Sequence, residues 1–302
     1  MTHSDPGDQF VQREDKAVYE TQEPVLYSVA DGVATLTMNR PDFHNVQNSQ
    51  MTYALDAGFR RAVDDDSVKV IVLRGAGKHF SAGHDIGSPG RDINKPFERQ
   101  TLWWNHTNKP GAEQLFAREQ EVYLGMCRRW HDIPKPTIAM VQGACVAGGL
   151  MLAWVCDLII ASDDAFFQDP VVRMGIPGVE YFAHAHELNP RIAKEFLFVG
   201  DRMKADRAYM MGMVNRVVPR DELEAQTYEM ASRIAKQPRM GLALTKTVIN
   251  RVEELQGLRT TMDVAFGYHH FAHAHSQVLG AGQLGGHDAK TMAQANKKDA
   301  KE

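Results

Sequence analysis

Two glycine-bearing segments, each directly after an apolar run, most constrain what this chain can fold into. Lys78-His79-Phe80-Ser81-Ala82-Gly83-His84-Asp85-Ile86 follows the run 68–74, and Gly143-Ala144-Cys145-Val146-Ala147-Gly148-Gly149 follows 137–142. Each reads as a buried strand that runs through a tight turn into the first turn of a helix. The first N–H groups of a helix have no intrahelical partner. Two such turns side by side would aim two N–H donors at one point. That is the physical form of an oxyanion hole, which stabilises charge developing on a carbonyl oxygen.

The surrounding pattern supports a strand–helix alternation. Residues 25–30 and 33–38 are apolar and β-branched, and Asp31-Gly32 between them is a hairpin signal. Asn48 or Ser49 can cap a helix that carries Met51, Leu55, Phe59 and Ala62 on one face. Residues 64–66 close it, and a buried strand follows at 68–73. Such alternation predicts a parallel sheet joined by right-handed crossovers. A polar insertion between Gly87 and Gly111 carries three prolines and the pair Trp103-Trp104. Insertions of this length are more often functional than accidental.

Further helices are expected at 112–130 and 148–156, with strands at 137–141, 157–161 and 165–167. After Glu180 the character becomes helical, at 190–199, 205–211, 221–236, 238–254 and 260–279, with one short strand at 214–218. The expected organisation is a mobile tail over 1–23, an α/β core over 24–200, a helical part over 201–286 that makes subunit contacts, and a second mobile tail over 287–302.

Composition narrows the function classes. A net charge of −4 gives no basic footprint for nucleic acid. No apolar run is long enough for a membrane span, and the N-terminus lacks the apolar core of a signal peptide. Cys127, Cys145 and Cys156 have no metal-ligand spacing, which fits buried thiols in a reducing cytoplasm.

At these residues the chain resembles the crotonase superfamily, the enoyl-CoA hydratase and isomerase family. The resemblance rests on Met38-Asn39-Arg40-Pro41 with Asn45, on Phe80 through Ile86, and on Pro136-Thr137-Ile138-Ala139. It continues with Gly143 through Gly149, Cys156-Asp157-Leu158-Ile159-Ile160-Ala161, and Gly212 through Val218. It implies a spiral of repeated strand–strand–helix (ββα) units with a helical C-terminal extension. It also implies a coenzyme A thioester as substrate, no metal or redox cofactor, and a homotrimer or a dimer of trimers. The implied oxyanion donors are the backbone N–H groups of His84 and Gly148. Ala82, Asp85 and Ile86 would line the adenine and pantetheine path, with His44, Val146 and Met151 as further substrate-binding positions.

The chain also departs from that family. A hydratase of this type uses two glutamates, one to position water and one to deliver a proton. Met151 and Val171 stand at those positions, and neither moves a proton. Glu180, in the turn after Gly175-Ile176-Pro177-Gly178-Val179, lies where related isomerases and a dehalogenase carry a catalytic carboxylate. Its bland alternative is a first-turn helix carboxylate favoured by the dipole. Asp169, beside Val171, is a second candidate acid, with structural hydrogen bonding as the alternative. His184, His186 and Glu187 form one possible metal set, and His269, His270, His273 and His275 another. No carboxylate or cysteine completes a plausible site, so surface or interface packing is expected for both. The residues therefore allow an acyl-CoA enzyme with a single base, a hydrolase, or a non-catalytic acyl-CoA-binding homologue. The direction of Glu180 separates the first from the last: buried at the substrate for an enzyme, turned to solvent for a binder.

Overall fold

The computed structural model describes residues 22–86 and 92–280, together with 285, 286, 291 and 294. The expected tails therefore lie almost wholly outside the described residues. Strands β1 (Val25–Ala30) and β2 (Val33–Met38) form the expected antiparallel hairpin, with Asp31 at φ 49° and Gly32 at φ 78°. Positive φ at both central residues gives the turn whose twist matches its flanking strands. The sheet then grows by parallel neighbours β3 (Val70–Gly75), β4 (Thr137–Val141), β6 (Leu158–Ser162) and β9 (Arg216–Val218), in the order β1-β2-β3-β4-β6-β9.

Side-chain alternation splits the sheet between two layers. Val70, Val72, Ile138, Met140 and Ile160 face Leu223, Ala231 and Ala235 of a helix over Leu223–Ala235. Ile71, Leu73, Ala139, Val141, Ile159 and Ala161 face the larger core, with Met51, Leu55 and Phe59 of helix α1 (Ser49–Asp64). The Asn48 side chain caps α1 by accepting from the Met51 N–H at 2.9 Å. Burial on both faces is what an interior parallel sheet requires.

A second, smaller sheet runs across the end of the first. It holds β5 (Ala144–Val146), β7 (Phe166–Gln168) and β8 (Met203–Lys204). Two isolated parallel bridges extend it, Ser81 with Cys145 and Gln47 with His84. Each turn of the spiral thus spends one strand in each sheet before a helix. The turn β4–β5 leads into helix α4 (Gly148–Trp154), and β6–β7 leads into a 3-10 turn at Val171–Met174.

This arrangement corrects one expectation. Through Ile86, the last described residue there, the segment 78–86 is not helical; His84 pairs with Gln47 in a parallel bridge instead. Gln47 N donates to Gly83 O at 2.8 Å, and Asp85 N donates to Gln47 O at 2.9 Å. These bonds hold the backbone straight where a helix would have to turn. The β3 strand also begins two positions later than expected, after a turn in which Val68 N donates to Asp65 O at 3.0 Å.

The insertion leads into helix α2 (Gly111–Glu119), which widens to a π-helical segment (Gln120–Gly125) and narrows again to α3 (Met126–His131). Glu121 ties the insertion down, its carboxylate accepting from Gln100 N at 2.6 Å and Thr101 N at 3.1 Å. Trp103 and Trp104 pack on each other with centroids 4.7 Å apart, and Trp103 faces Phe116 of α2. The helical part comprises His184–Glu187, Pro190–Val199, Ala205–Met210, Leu223–Ala235, α9 (Arg239–Leu255) and α10 (Leu258–Val278). Among the described residues no helix is long and apolar enough to cross a membrane.

Candidate active site

The two glycine-bearing segments are stitched edge to edge. Phe80 N donates to Gln142 O at 2.8 Å, Ser81 N to Ala144 O at 3.1 Å, and Val146 N to Ser81 O at 3.0 Å. The His79 ring adds a fourth tie, accepting from Ala144 N at 3.0 Å. Burial, with the nearby His44, Lys78 and Arg220, lowers the His79 pKa to about 4, so the ring stays neutral and can accept. Asn45 holds the loop before this segment, donating to the carbonyls of Ala76 and His79.

Between these segments, the backbone presents two donors together. In the parallel bridge with Gln47, the flanking residues Gly83 and Asp85 make the hydrogen bonds, so the His84 N–H points the other way. Gly148 opens α4, where its N–H has no intrahelical partner. Ala147, at φ 48° and ψ −114°, makes the sharp turn into it. Such a backbone costs of order 1–3 kcal/mol and persists only where the surroundings enforce it. Here Ala147 N is fixed to Gln168 O at 2.8 Å. The two peptides nearly touch: a Cβ on Gly83 would lie 3.2 Å from Gly148 N, and Gly83 has φ +99°.

The His84 side chain lies over Gly148. A Cβ on Gly148 would come within 2.4 Å of His84 Cδ2 and 2.5 Å of Nε2. The other side of the imidazole stacks on Tyr123 of the π-helical segment, with centroids 3.8 Å apart and planes 10° from parallel. Turns of this kind recur at functional sites. Burial lowers the His84 pKa to about 3, so the ring is neutral, and Nε2 has no hydrogen-bond partner among the described residues.

Glu180 completes the group. It is 3 % exposed, and its Oε1 lies 3.6 Å from His84 Nδ1. Burial first, and the charge of Glu119 second, raise its pKa to about 8. The contact is therefore between neutral groups around neutral pH and is no ion pair. Glu180 Oε2 has no hydrogen-bond partner among the described residues.

Asp169 sits behind this group rather than in it. It is fully buried, and its carboxylate accepts from Val171 N and Val179 N at 3.3 Å each and meets His184 Nε2 at 2.7 Å. Those bonds pin both ends of the loop 170–179 that delivers Glu180. His184 is buried against Trp154 and Phe182, while His186 and Glu187 of the same set are half-buried.

The remaining expected positions divide. Ala82 N donates to His44 O at 2.9 Å, while the exposed His44 ring meets His79 edge-on. Asp85 is buried in an ion pair with Arg40 at 3.0 Å. Ile86 packs with Met174 and Ile176. Val146 is half-buried beside the strained Ala147, Met151 is buried in the core, and Val171 packs on both sides of its turn.

The second histidine set divides, with His275 exposed and His270 half-buried. His269 and His273 are buried, and Glu119, remote in sequence, reaches them from α2. His269 Nε2 is 3.3 Å from Glu119 Oε2 and 3.9 Å from Glu180 Oε1; His270 Nε2 is 3.2 Å from Glu119 Oε2. Burial opposes ionisation of both partners, yet the pairing wins. Glu119 is held well below the usual carboxylate range by His269 and His270, and His269 is pushed up to about 9 mainly by Glu119. Glu119, Tyr123 and Gln47 escaped the sequence reading. None belongs to a local motif; the packing of α2 on the helix Leu258–Val278, the stacking of Tyr123 on His84 and the Gln47–His84 bridge bring them in.

Two adjoining backbone turns, a neutral ring against Gly148 and a protonatable carboxyl alongside make up the candidate site on a ββα spiral. The chain matches the enoyl-CoA hydratase/isomerase family over residues 28–285 and belongs to it. A Mycobacterium tuberculosis protein proposed to be an enoyl-CoA hydratase, EchA13, is 42% identical over 263 residues, covering 85% of this chain and 82% of its own. The 1,2-epoxyphenylacetyl-CoA isomerase of Escherichia coli is 30% identical over 256 residues, covering 83% and 90%. Among solved structures, a probable enoyl-CoA hydratase from Mycobacterium smegmatis superposes with a TM-score of 0.77 at 44% identity, covering 86% of this chain and 98% of the other.

Proposed function

We propose that the chain is an acyl-CoA enzyme that works through a thioester enolate, with Glu180 as its one proton-transfer group. In this reading the thioester carbonyl sits between the N–H groups of His84 and Gly148, which strengthen their hold as the oxygen becomes an enolate. Glu180 removes a proton from the substrate and returns it at another carbon, which is isomerisation. A carboxyl with its pKa near the working pH suits both steps. The observation that carries the reading is Glu180 itself, 3 % exposed with an oxygen facing the His84 ring. A non-catalytic binder would be expected to leave that carboxyl in solvent. Met151 and Val171, where two-carboxylate hydratases hold their glutamates, argue against hydration as the main reaction. We also propose a homotrimer or dimer of trimers for the assembly.

Calorimetry and a hydration assay together test this reading. Crotonyl-CoA should bind, and free coenzyme A should bind more weakly. Hydration, followed by loss of enoyl absorbance, should run at least about 10²-fold below a two-carboxylate site, because acid–base groups contribute about 10²–10⁴. Absence of binding at millimolar ligand by folded protein would overturn the thioester assignment. Fast hydration would overturn the single-base assignment.

A further inference from the structure

We infer that Glu119, His269 and His273 form a binding site for one divalent first-row transition-metal ion, beside the oxyanion-hole site but separate from it. The three residues each present one ligand atom, and these atoms lie within 4.8 Å of one another. Two are imidazole nitrogens that face each other directly, His269 Nε2 and His273 Nε2, at 3.0 Å. Glu119 Oε2 stands 3.3 Å from the first of them. Tetrahedral ligands at about 2.0–2.1 Å from an ion lie roughly 3.3 Å apart, so two edges of the site already have the right length.

The chemistry around the trio is that of a ligand set. His269 and His273 are one helical turn apart on α10, which puts both rings on one face. The His269 Nδ1–H donates to Gly178 O at 3.0 Å. A backbone carbonyl on the far nitrogen is the usual way a ligating histidine is oriented, and it leaves the Nε2 lone pair for the ion. His269 Nε2 faces both His273 Nε2 and Glu119 Oε2, and His270 Nε2 lies 3.2 Å from the same carboxylate oxygen. Glu119 Oε2, in a residue 6 % exposed, makes no hydrogen bond among the described residues. Two imidazoles and one carboxylate suit zinc, iron(II) or cobalt(II) rather than magnesium or calcium, which prefer all-oxygen shells.

The position gives the ion a task. Glu119 ends α2 just before the π-helical segment that carries Tyr123, the ring stacked on His84. His269 also grips Gly178, two residues before Glu180. An ion here would clip α2, α10 and the Glu180 loop together as a positioning centre. Glu180 is not needed as a ligand, since its Oε1 is 3.9 Å from His269 Nε2, farther than either trio partner.

The test is metal binding by the full chain and does not depend on any acyl-CoA activity. The protein is stripped with chelator, loaded with Zn²⁺ or Co²⁺, desalted and assayed by elemental analysis and visible absorption. One equivalent of metal per chain should be retained, with cobalt d–d bands and a metal-dependent rise in melting temperature. Glu119→Gln and His273→Ala, each checked for folding by circular dichroism, should lose at least tenfold in affinity along with the cobalt bands. Glu180→Gln and His275→Ala, the latter at an exposed position on the same helix, should retain both. Metal retention by folded wild type no greater than by Glu119→Gln would overturn the site, leaving the trio as a proton-sharing network. Equal loss in His275→Ala would also overturn it, as binding elsewhere on the histidine-rich helix.

Discussion

At the scale of single residues, the contact between Gly148 and His84 is the tightest constraint. Gly148→Ala keeps the N–H but places a Cβ 2.4 Å from the His84 ring, which Tyr123 backs on its other side. The ring must swing away, and the donor or the Glu180 contact must move with it. Displacements of this size cost about 10²-fold in rate. Turnover of an acyl-CoA should fall by about that factor with the fold intact by circular dichroism. Unchanged turnover would show that the reaction does not take place over Gly148. The same residues show how sequence reading succeeds and fails. Gly83, Gly148 and Gly149 were legible because close backbone approach excludes side chains, and that demand is written locally. The demand met by Asp169 was not. It accepts from positions on both ends of the loop 170–179, so its role as a clasp emerges only once the loop closes.

Secondary-structure elements were legible where periodicity and caps agreed. The hairpin, β4, α1 and the helix at Pro190–Val199 fall where the pattern puts them; the last starts at a capping Asn189 with Pro190 next and stops at Gly200 in the left-handed region. The three-residue β5 and the bridges at Ser81 and Gln47 were invisible, because strands so short carry no period and depend on their neighbours. The interruption of α2–α3 by a π-helical turn was equally hidden within one apolar periodicity. One link between elements makes a pH prediction. His131, closing α3, meets Glu253 of α9 at 3.2 Å and Asp132 at 3.2 Å, with Asn250 donating to its carbonyl. Burial pulls its pKa down, but those carboxylates outweigh burial and raise it to about 9. The proton is thus bound more tightly in the folded state. The stabilisation is complete below about pH 6.5 and is lost as pH rises through about 9. Chemical denaturation from pH 6 to 10 should show stability of the wild type falling relative to His131→Gln. A difference that stays constant or grows with pH would contradict the assignment.

At the scale of the whole molecule, the fold brings Glu119 of α2 and His269 of α10 together beside Glu180, and α9 leaves apolar side chains exposed. Met240, Leu244, Val248, Val252 and Leu255 form a stripe along α9, each at least 48 % exposed. Apolar faces of this extent mark association surfaces. Analytical ultracentrifugation should give three or six times the 33.8 kDa chain mass, and Val248→Asp with Val252→Asp should lower it. A wild-type monomer at micromolar concentration would contradict that assembly. The account as a whole turns on whether one buried carboxyl moves a proton on a bound thioester. The direct measurement is deuterium exchange at the α-carbon of a saturating acyl-CoA in deuterated water, followed by NMR for wild type and Glu180→Gln. The account predicts enzyme-dependent exchange in the wild type and a drop of about 10²–10⁴ in the variant, with acyl-CoA affinity nearly unchanged. Equal exchange in both proteins, or none in a wild type that binds the thioester, would contradict it.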